Sequence, residues 1–466
     1  TSTVFLFAFL PIALLAYFLV PARFRVVPLL LVSLFFYAWG EPRLVLMIMA
    51  SAVINFWTGR ALVKAARQHR AILIVGIALN LLPLFVLKYT DFILTNTGHA
   101  DAAASINLPL PIGVSFYTFM AIGYLVDIYR RRDEGSDSFL RFAAYLTMFP
   151  HLVAGPIVRW EHIGEQLRAP RFDSRMFSYG AIRIATGMAK KVLVADQLAV
   201  TVDQLFGLPQ TPSVATAWLS MVLYSLQIYL DFSAYSDIAI GLAAMLGVRF
   251  HENFDYPYHA KSASDFWRRW HISLGSWFRD YIYIPMGGSR VGRIKLWRNL
   301  LVVWALTGLW HGPAWTFVAW GLYFGVLIGL ERTVYGQALA KLPSWIQHSY
   351  GVLLAGLGWV LFRSATFDQA TDIFTSLIPT GSRPLTDPWS HYVMQQDLVL
   401  VLVAIAISAG IGRSLMKRTE SALLESAGQW TWSSSISWSV VVVLLIILST
   451  SFMVAVKYVP FIYFRF

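Results

Sequence analysis

The residue with the clearest potential for chemistry is His311, in the long apolar stretch from Trp297 to Glu331. Between Arg298 and Glu331 the sequence has no Asp, Glu, Lys or Arg, so His311 is the only group there that titrates near neutral pH. An ionisable side chain at membrane depth is costly and usually functional. A buried, neutral imidazole can remove the proton of a hydroxyl group as a general base. The alternative is a histidine that only packs between helices.

The residues on either side of His311 suit a substrate site. Trp310 and Gly312 flank it, and Pro313 interrupts the backbone hydrogen bonds of any helix at this point. Because glycine allows close backbone approach, we interpret Trp310 and Gly312 as candidate substrate or tunnel residues. A negatively charged oxygen in a transition state needs hydrogen-bond donors, which the Trp310 indole, backbone N–H groups near Gly312 or His271 could supply.

The second candidate is His271, in a polar region between Lys261 and Arg298. That region carries eight Lys and Arg residues against two Asp residues. The spacing of Trp267, Trp270 and His271 predicts one face of an amphipathic helix, which lies at the membrane interface or dips into the bundle. We therefore predict that Trp270 and His271 belong to the same site.

Two arginines, Arg268 and Arg269, precede His271. Their guanidinium groups could bind a phosphate or a carboxylate, and their positive charge favours the neutral form of the imidazole. The alternative is a solvated basic loop in which the histidine is incidental.

A third group of polar residues lies between two apolar runs and includes Asp231, Ser236 and Asp237. The simplest interpretation is that Ser233 and Ser236 cap a new helix, with Asp237 in its first turn. Alternatively, Asp231 orients a histidine or holds the acceptor. We therefore count Asp231, Ser236 and Asp237 as candidate tunnel residues.

Several common catalytic motifs are absent from the sequence. It has no P-loop, dinucleotide fingerprint, His-x-x-x-His pair or Gly-x-Ser-x-Gly elbow, and it has no cysteine. The lack of cysteine excludes a thiolate nucleophile and a cysteine metal site. We expect no metal and no permanently bound cofactor.

The composition predicts a polytopic membrane protein. Hydrophobic residues make up 57% of the 466 residues and charged residues 13%, with a mean hydropathy of +0.59, whereas soluble domains carry about 25% charged residues. Apolar stretches close to the ~20 residues of a membrane span recur along the chain. Several are short and interrupted by Gly or Pro, which is typical of half-helices and re-entrant segments. We expect one integral all-α domain, residues 1–466, built around a central cavity.

The charged residues favour membrane lipid as a partner over nucleic acid. There are 37 Lys and Arg against 25 Asp and Glu, and the basic residues cluster between the apolar runs. That pattern suits loops that face the cytoplasm and anionic lipid. We expect the apolar stretch Thr1–Val20 to be the first membrane helix and not a removable signal.

Six segments follow one another in the order typical of a known family of membrane enzymes. They are Pro111–Phe119, Pro150–Pro156, Asp231–Gly241, Glu252–Phe254, Phe266–Ser273 and Gly308–Gly312. Together they resemble the membrane-bound O-acyltransferase family, and in particular its bacterial branch that acylates cell-surface polymers. The resemblance defines a motif-bearing core at about residues 111–331.

The resemblance implies a bundle of roughly eleven to thirteen helical segments around a tunnel in the bacterial inner membrane. His311 matches the main catalytic histidine of the family, and His271 matches the second histidine of the polysaccharide branch. The implied donor is acetyl-CoA, and the implied final acceptor is an exopolysaccharide such as alginate or cellulose. A periplasmic acetyltransferase partner and an exopolysaccharide synthase or secretion complex are implied as well.

Other functions stay open at this point. The chain could transfer D-alanyl or another acyl group to a cell-wall polymer, either directly or through an acyl-His311 intermediate. A transporter of polysaccharide or ions also has partial helices and a site near the membrane midplane. A non-catalytic scaffold for a synthase complex is a third alternative.

Overall fold

The structure is a computed structural model, and it describes residues 2–65, 69–101, 106, 113–130, 134–170, 172–424 and 432–455. These residues form helices and connecting segments, with no strand among them, which confirms the predicted all-α class. The motif residues Pro111 and Ile112 lie outside the described residues.

The α-helices are numbered in chain order. The first ten are α1 Leu10–Phe18, α2 Val26–Gly40, α3 Val45–Lys64, α4 His69–Asn96, α5 Val114–Tyr129, α6 Phe139–Thr147, α7 Trp160–Ile163, α8 Ser174–Ala189, α9 Asp196–Phe206 and α10 Val214–Met245. The others are α11 Ala263–Arg269, α12 Ile272–Phe278, α13 Arg293–His311, α14 Trp315–Glu331, α15 Val334–Lys341, α16 Ser344–Arg363, α17 Phe367–Ser376, α18 Pro388–Gln396, α19 Leu398–Ser408, α20 Arg413–Leu424 and α21 Trp432–Ala455.

Several of these helices have the length and composition of membrane spans. Within the described residues, three are long and apolar enough to cross a membrane, namely Val45–Lys64, Arg70–Asn96 and Ser433–Ala455. Two more spans arise if bent pairs are counted, with bends of 77° between α14 and α15 and 70° between α18 and α19. The bent pairs and the short apolar helices agree with the half-helices predicted from the interrupted apolar runs.

The chain divides into two compact units. Unit 1 comprises Thr1–Ile184 and Ser236–Glu252, and unit 2 comprises Ala185–Tyr235 and Asn253–Phe466. Helices α8 and α10 contribute residues to both units. The single integral domain expected from the composition stays a prediction.

Helix α10 runs without interruption for 32 residues, so the prediction that Ser233 and Ser236 cap a new helix is wrong. The polar side chains in this stretch are satisfied by partners on other segments, and the helix has no need to end there. Asp237 pairs with Arg183 at 2.5 Å within unit 1, and Asp231 pairs with Lys191 at 2.7 Å within unit 2.

In unit 2, α13 and α14 form a hairpin whose backbones touch. A Cβ atom on Gly321 would lie 2.1 Å from the carbonyl oxygen of Trp304, and one on Gly308 would lie 2.2 Å from that of Phe317. Glycines at such positions let two membrane helices approach closely and gain van der Waals contact. This packing fixes the end of α13, where His311 lies.

Candidate active site

His311 is the last residue of α13. The extended backbone of Gly312, with φ −169° and ψ 155°, ends the helix just before Pro313. The His311 side chain is 5% exposed. The carboxyl end of a helix carries partial negative charge, which stabilises a positively charged imidazolium. The helix therefore supports the charge that His311 would acquire on taking up a proton.

Aromatic rings surround His311. The ring centroids of Trp310, Trp320 and Phe362 lie 4.8, 4.9 and 5.1 Å from that of His311, and all three rings meet it edge to face. Rings of this kind exclude water and lower the local dielectric, so that charges developing at the imidazole interact more strongly with nearby dipoles.

Gly312 does not leave an open space beside His311. A Cβ atom on Gly312 would lie 2.3 Å from the ring of Phe317. The absence of a side chain therefore lets Phe317 pack against the backbone, and the room for substrate that the sequence suggested at this glycine is filled by that ring.

The single amphipathic helix predicted through His271 is wrong. Helix α11 ends at Arg269, α12 begins at Ile272, and His271 lies between them in the left-handed region, with φ 44° and ψ 55°. The backbone carbonyl of Asn253 accepts a hydrogen bond from the Ile272 N–H at 2.9 Å. This contact with another segment holds the turn that interrupts the helix.

The rings of Trp267 and Trp270 both pack against that of Phe266 but otherwise have different aromatic neighbours. The Trp270 side chain is buried, with its ring 4.7 Å from Trp359. The ring of Trp267 lies 4.7 Å from that of Trp304, which belongs to α13. Trp270 is thus part of the aromatic core beside the His271 turn.

Trp310 connects the two histidines. Its ring centroid lies 6.0 Å from that of His271 and 4.8 Å from that of His311. Both imidazoles are buried, at 1% and 5% exposure. The structure therefore brings three of the predicted site residues together within unit 2.

The two arginines before His271 differ in their surroundings. The Arg269 guanidinium contacts the carboxylates of Asp265 at 3.2 Å and Asp255 at 3.3 Å, so its charge is balanced within the chain. The Arg268 side chain is 72% exposed and lies 3.4 Å from Asp265. Of the two, Arg268 is the one accessible to an external anion.

Glu331 connects the helix before His271 to the hairpin of His311. Its two carboxylate oxygens accept hydrogen bonds from the backbone N–H groups of Ala263 at 2.6 Å and Ser264 at 2.9 Å. These donors lie at the start of α11, where a carboxylate satisfies free N–H groups and complements the helix dipole. No sequence pattern indicated this contact, since Glu331 stood out only as the end of an uncharged stretch.

Asp231 lies beside a buried lysine. The Lys191 ammonium contacts Asp231 at 2.7 Å and Asp196 at 2.5 Å, and it belongs to a π-helical turn at Lys190–Ala195. The next residue of α10, Phe232, packs its ring 4.7 Å from that of His271. A lysine in an apolar run needs a counter-charge, which is the sequence signal that would have predicted this pairing.

The other two candidates on α10, Ser236 and Asp237, belong to unit 1. The Ser236 side chain is buried, and Asp237 shares Arg183 with Glu252. The structure thus assigns them to a different unit from the histidines.

The site offers proton acceptors and N–H donors. Among the described residues, no group of three or more His, Asp or Glu side chains is arranged to hold a metal ion. The imidazoles of His271 and His311 can accept protons or hydrogen bonds, and the nearby backbone and indole N–H groups can donate. These groups suit proton removal from a hydroxyl and stabilisation of an oxyanion.

An all-α chain with apolar helices of membrane length and two buried histidines fits the class of integral membrane acyltransferases. The profile of the membrane-bound O-acyltransferase family matches residues 129–351, which include both His271 and His311. Together with the relatives described next, this match shows that the chain belongs to that family. It is therefore an integral membrane protein and an O-acyltransferase.

The chain is similar to several curated proteins. It is 37% identical to the probable alginate O-acetylase AlgI of Azotobacter vinelandii, over 88% of this chain and 84% of the relative. It is 32% identical to the peptidoglycan O-acetyltransferase of Helicobacter pylori, over 81% of this chain and 79% of the relative. A lower similarity, 27% over 53% of this chain and 65% of the relative, links it to the teichoic acid D-alanyltransferase of Bacillus subtilis.

Proposed function

We propose that the protein moves an acetyl group from cytoplasmic acetyl-CoA, across the bacterial inner membrane, for the O-acetylation of an exopolysaccharide such as alginate or cellulose. The observation that carries the proposal is the contact of two buried histidines with one indole, that of Trp310, inside the segment that matches the family. The printed names of two relatives, an alginate O-acetylase and a peptidoglycan O-acetyltransferase, support an acetyl group and a polysaccharide acceptor.

In the proposed reaction, neutral His311 removes the proton of an acceptor hydroxyl while the hydroxyl oxygen attacks the thioester carbonyl. The carbon–sulfur bond then breaks, the thiolate leaves, and the proton stays on His311 as an imidazolium at the carboxyl end of α13. General-base catalysis of this kind contributes about 10²–10⁴-fold to a rate. Each well-placed N–H donor to the oxyanion contributes about 3–4 kcal/mol.

We further propose that the immediate acceptor is a hydroxyl group of a periplasmic partner protein, which passes the acetyl group to the polymer beside a synthase or secretion complex. A side chain that is 5% exposed is a difficult target for a bulky polysaccharide. A single hydroxyl group on a narrow segment reaches a buried imidazole more easily through a tunnel in a multi-pass bundle.

The test uses purified protein and acetyl-CoA, with water as the acceptor hydroxyl, so that acetate and free CoA thiol are the products and release of the thiol is the measurement. We expect release by the unaltered protein and about 10³-fold slower release by His311→Ala. The matched control is His391→Ala, because His391 is an exposed histidine of the same unit, on α18, and we expect this variant to keep full activity. Transport of an ion or polymer without thiol release would favour the transporter, and normal acetylation in cells carrying His311→Ala would favour the scaffold.

The polymer is identified by mass spectrometry of surface polysaccharide from cells that lack the protein. We expect the loss of acetyl esters from one polymer, which names the substrate. Loss of D-alanyl esters with acetyl esters unchanged would instead assign the protein to D-alanyl transfer, the activity named for the Bacillus subtilis relative.

A further inference from the structure

The backbone at His271 is held in an unfavourable conformation. Its φ of 44° and ψ of 55° lie in the left-handed region, which is unfavourable for a residue other than glycine and persists only where surrounding contacts hold it. Such conformations concentrate at functional sites. The contacts that hold His271 in this conformation therefore indicate the function of the turn.

Asn253 supplies those contacts and is fully buried. Its backbone oxygen accepts from the Ile272 N–H at 2.9 Å, and its side-chain Oδ1 accepts from the N–H of Ser273 at 3.1 Å and from the Ser273 hydroxyl at 2.9 Å. A backbone N–H can only donate, so the Asn253 atom that faces it must be the oxygen and not the amide nitrogen. The orientation of the amide is thereby fixed.

The same oxygen faces the imidazole. His271 Nδ1 lies 3.3 Å from Asn253 Oδ1. Because that oxygen accepts and cannot donate, Nδ1 must carry the proton of the neutral ring. Burial also lowers the pKa of His271 to about 3, so the ring is neutral near physiological pH. The second nitrogen, Nε2, is then left with a lone pair.

Nε2 of His271 is buried and has no hydrogen-bond partner among the described residues. A buried polar atom without a partner is destabilising, so a ligand that donates a hydrogen bond there gains affinity. The rings beside the imidazole, those of Phe232 and Trp310, are uncharged. Arg269, two positions before His271, is paired with carboxylates. The other imidazole, that of His311, contacts Trp310.

We propose that Asn253 is a positioning residue that holds His271 in the Nδ1–H tautomer, so that Nε2 accepts a hydrogen bond from the hydroxyl group of the acyl acceptor. His271 therefore orients the attacking alcohol and does not donate to the oxyanion, which was one of the roles that the sequence left open. The inference rests on the proposed acyl transfer for the identity of the ligand. The tautomer itself is independent of that function.

The first test measures the tautomer directly in the full-length protein. Nitrogen NMR of protein labelled at histidine, with the His271 signals assigned by their loss in His271→Gln, is expected to show a neutral ring protonated at Nδ1 near neutral pH. A ring protonated at Nε2, or an imidazolium, overturns the inference. Because the spectrum needs no turnover, this result is separate from the outcome of the thiol-release assay.

The second test compares two buried asparagines of unit 2. Asn253→Ala is expected to lower kcat about 10–100-fold through loss of the tautomer, with KM for acetyl-CoA unchanged. The matched control is Asn299→Ala, because Asn299 is also fully buried and donates to the carbonyls of Met286 and Gly288. Equal loss of activity per folded molecule in both variants would show that Asn253 is only structural.

The third test uses the isosteric variant Asn253→Asp. A carboxylate still accepts from Ser273 and from Nδ1–H, so the tautomer and part of the activity are retained. Its negative charge favours the imidazolium and raises the pKa of His271 by about 1–3 units. Nε2 accepts a hydrogen bond only in the neutral ring. As the pH is lowered, the variant is therefore expected to lose activity at a higher pH than the unaltered protein does. An unchanged acid limb would contradict the role assigned to Nε2.

Discussion

His271 and His311 contact the same indole, yet they are held in opposite ways. His311 ends a regular helix of 19 residues and is surrounded by rings, with an adjacent hairpin packed through glycines. His271 lies in a strained turn that a buried amide holds by specific hydrogen bonds. Packing fixes the position of an imidazole but leaves its proton free to move, whereas the amide fixes which nitrogen carries the proton. The difference suits a base at His311 and a hydrogen-bond acceptor at His271.

The largest expected effect comes from removing either imidazole. We expect His311→Ala and His271→Ala each to lower the rate of acetyl transfer by about 10³-fold, and the double variant to be no worse than the more damaging single one. The effects of two residues that act on the same hydroxyl group are not additive, because removing either residue also removes most of the catalytic effect of the other. A double variant whose loss equals the product of the single losses would show independent roles. The measurement is thiol release per folded molecule.

The next prediction targets the packing that positions only His311. In Gly321→Ala the new methyl group would overlap the carbonyl of Trp304, which forces α13 and α14 apart and lowers stability by about 1–3 kcal/mol. Thermal unfolding and activity both report the change. The control is Gly292→Ala at the residue before α13, where a Cβ atom would have no heavy atom within 4 Å. Equal destabilisation by both substitutions would mean that the close approach contributes nothing.

A smaller effect is expected from the contact that joins the two regions. Glu331→Ala leaves the N–H groups of Ala263 and Ser264 without their acceptor, which lowers stability by about 1–2 kcal/mol and displaces the His271 turn. Activity should fall about tenfold. Asp387→Ala, which removes the cap of α18 and its bond from Ser390, is expected to cost similar stability while activity per folded molecule stays unchanged.

The smallest effect is expected where the two regions meet. Trp310→Phe keeps a ring between the histidines and removes only the indole N–H. We expect a rate within about threefold of the unaltered enzyme, since ring contact is what the two imidazoles share. A loss of about 10²-fold or more would instead identify the indole as an oxyanion donor. Steady-state thiol release distinguishes the two results.

Much of the fold was predictable because hydropathy is a property of the sequence itself. Pro313 predicted an interruption of helical hydrogen bonds in the apolar run around His311, and the structure has α13, an extended Gly312 and α14. The lone histidine in an uncharged stretch pointed to the same residue that the structure buries among rings.

The local geometry of His271 was not predictable, because it depends on contacts between distant segments. Helical spacing suggested one helix through Trp270 and His271, but Asn253 competes for the backbone donors and turns the chain. The same limit applies at Asp231, because the sequence showed a lysine in an apolar run that needs a counter-charge but not that a residue forty positions later supplies it. Periodicity describes one segment at a time, and it contains no information on which side chain another segment supplies.

The carboxylate of Glu331 also sets an order for biosynthesis. It caps α11 from a position 67 residues after Ser264, and a ribosome that adds ~5–20 residues per second needs about 3 to 13 s to reach it. During that interval the first N–H groups of α11 lack their acceptor, and the hairpin that carries His311 is still being made. The cap of α11 and the hairpin that carries His311 are therefore completed together, once the end of α14 has been synthesised.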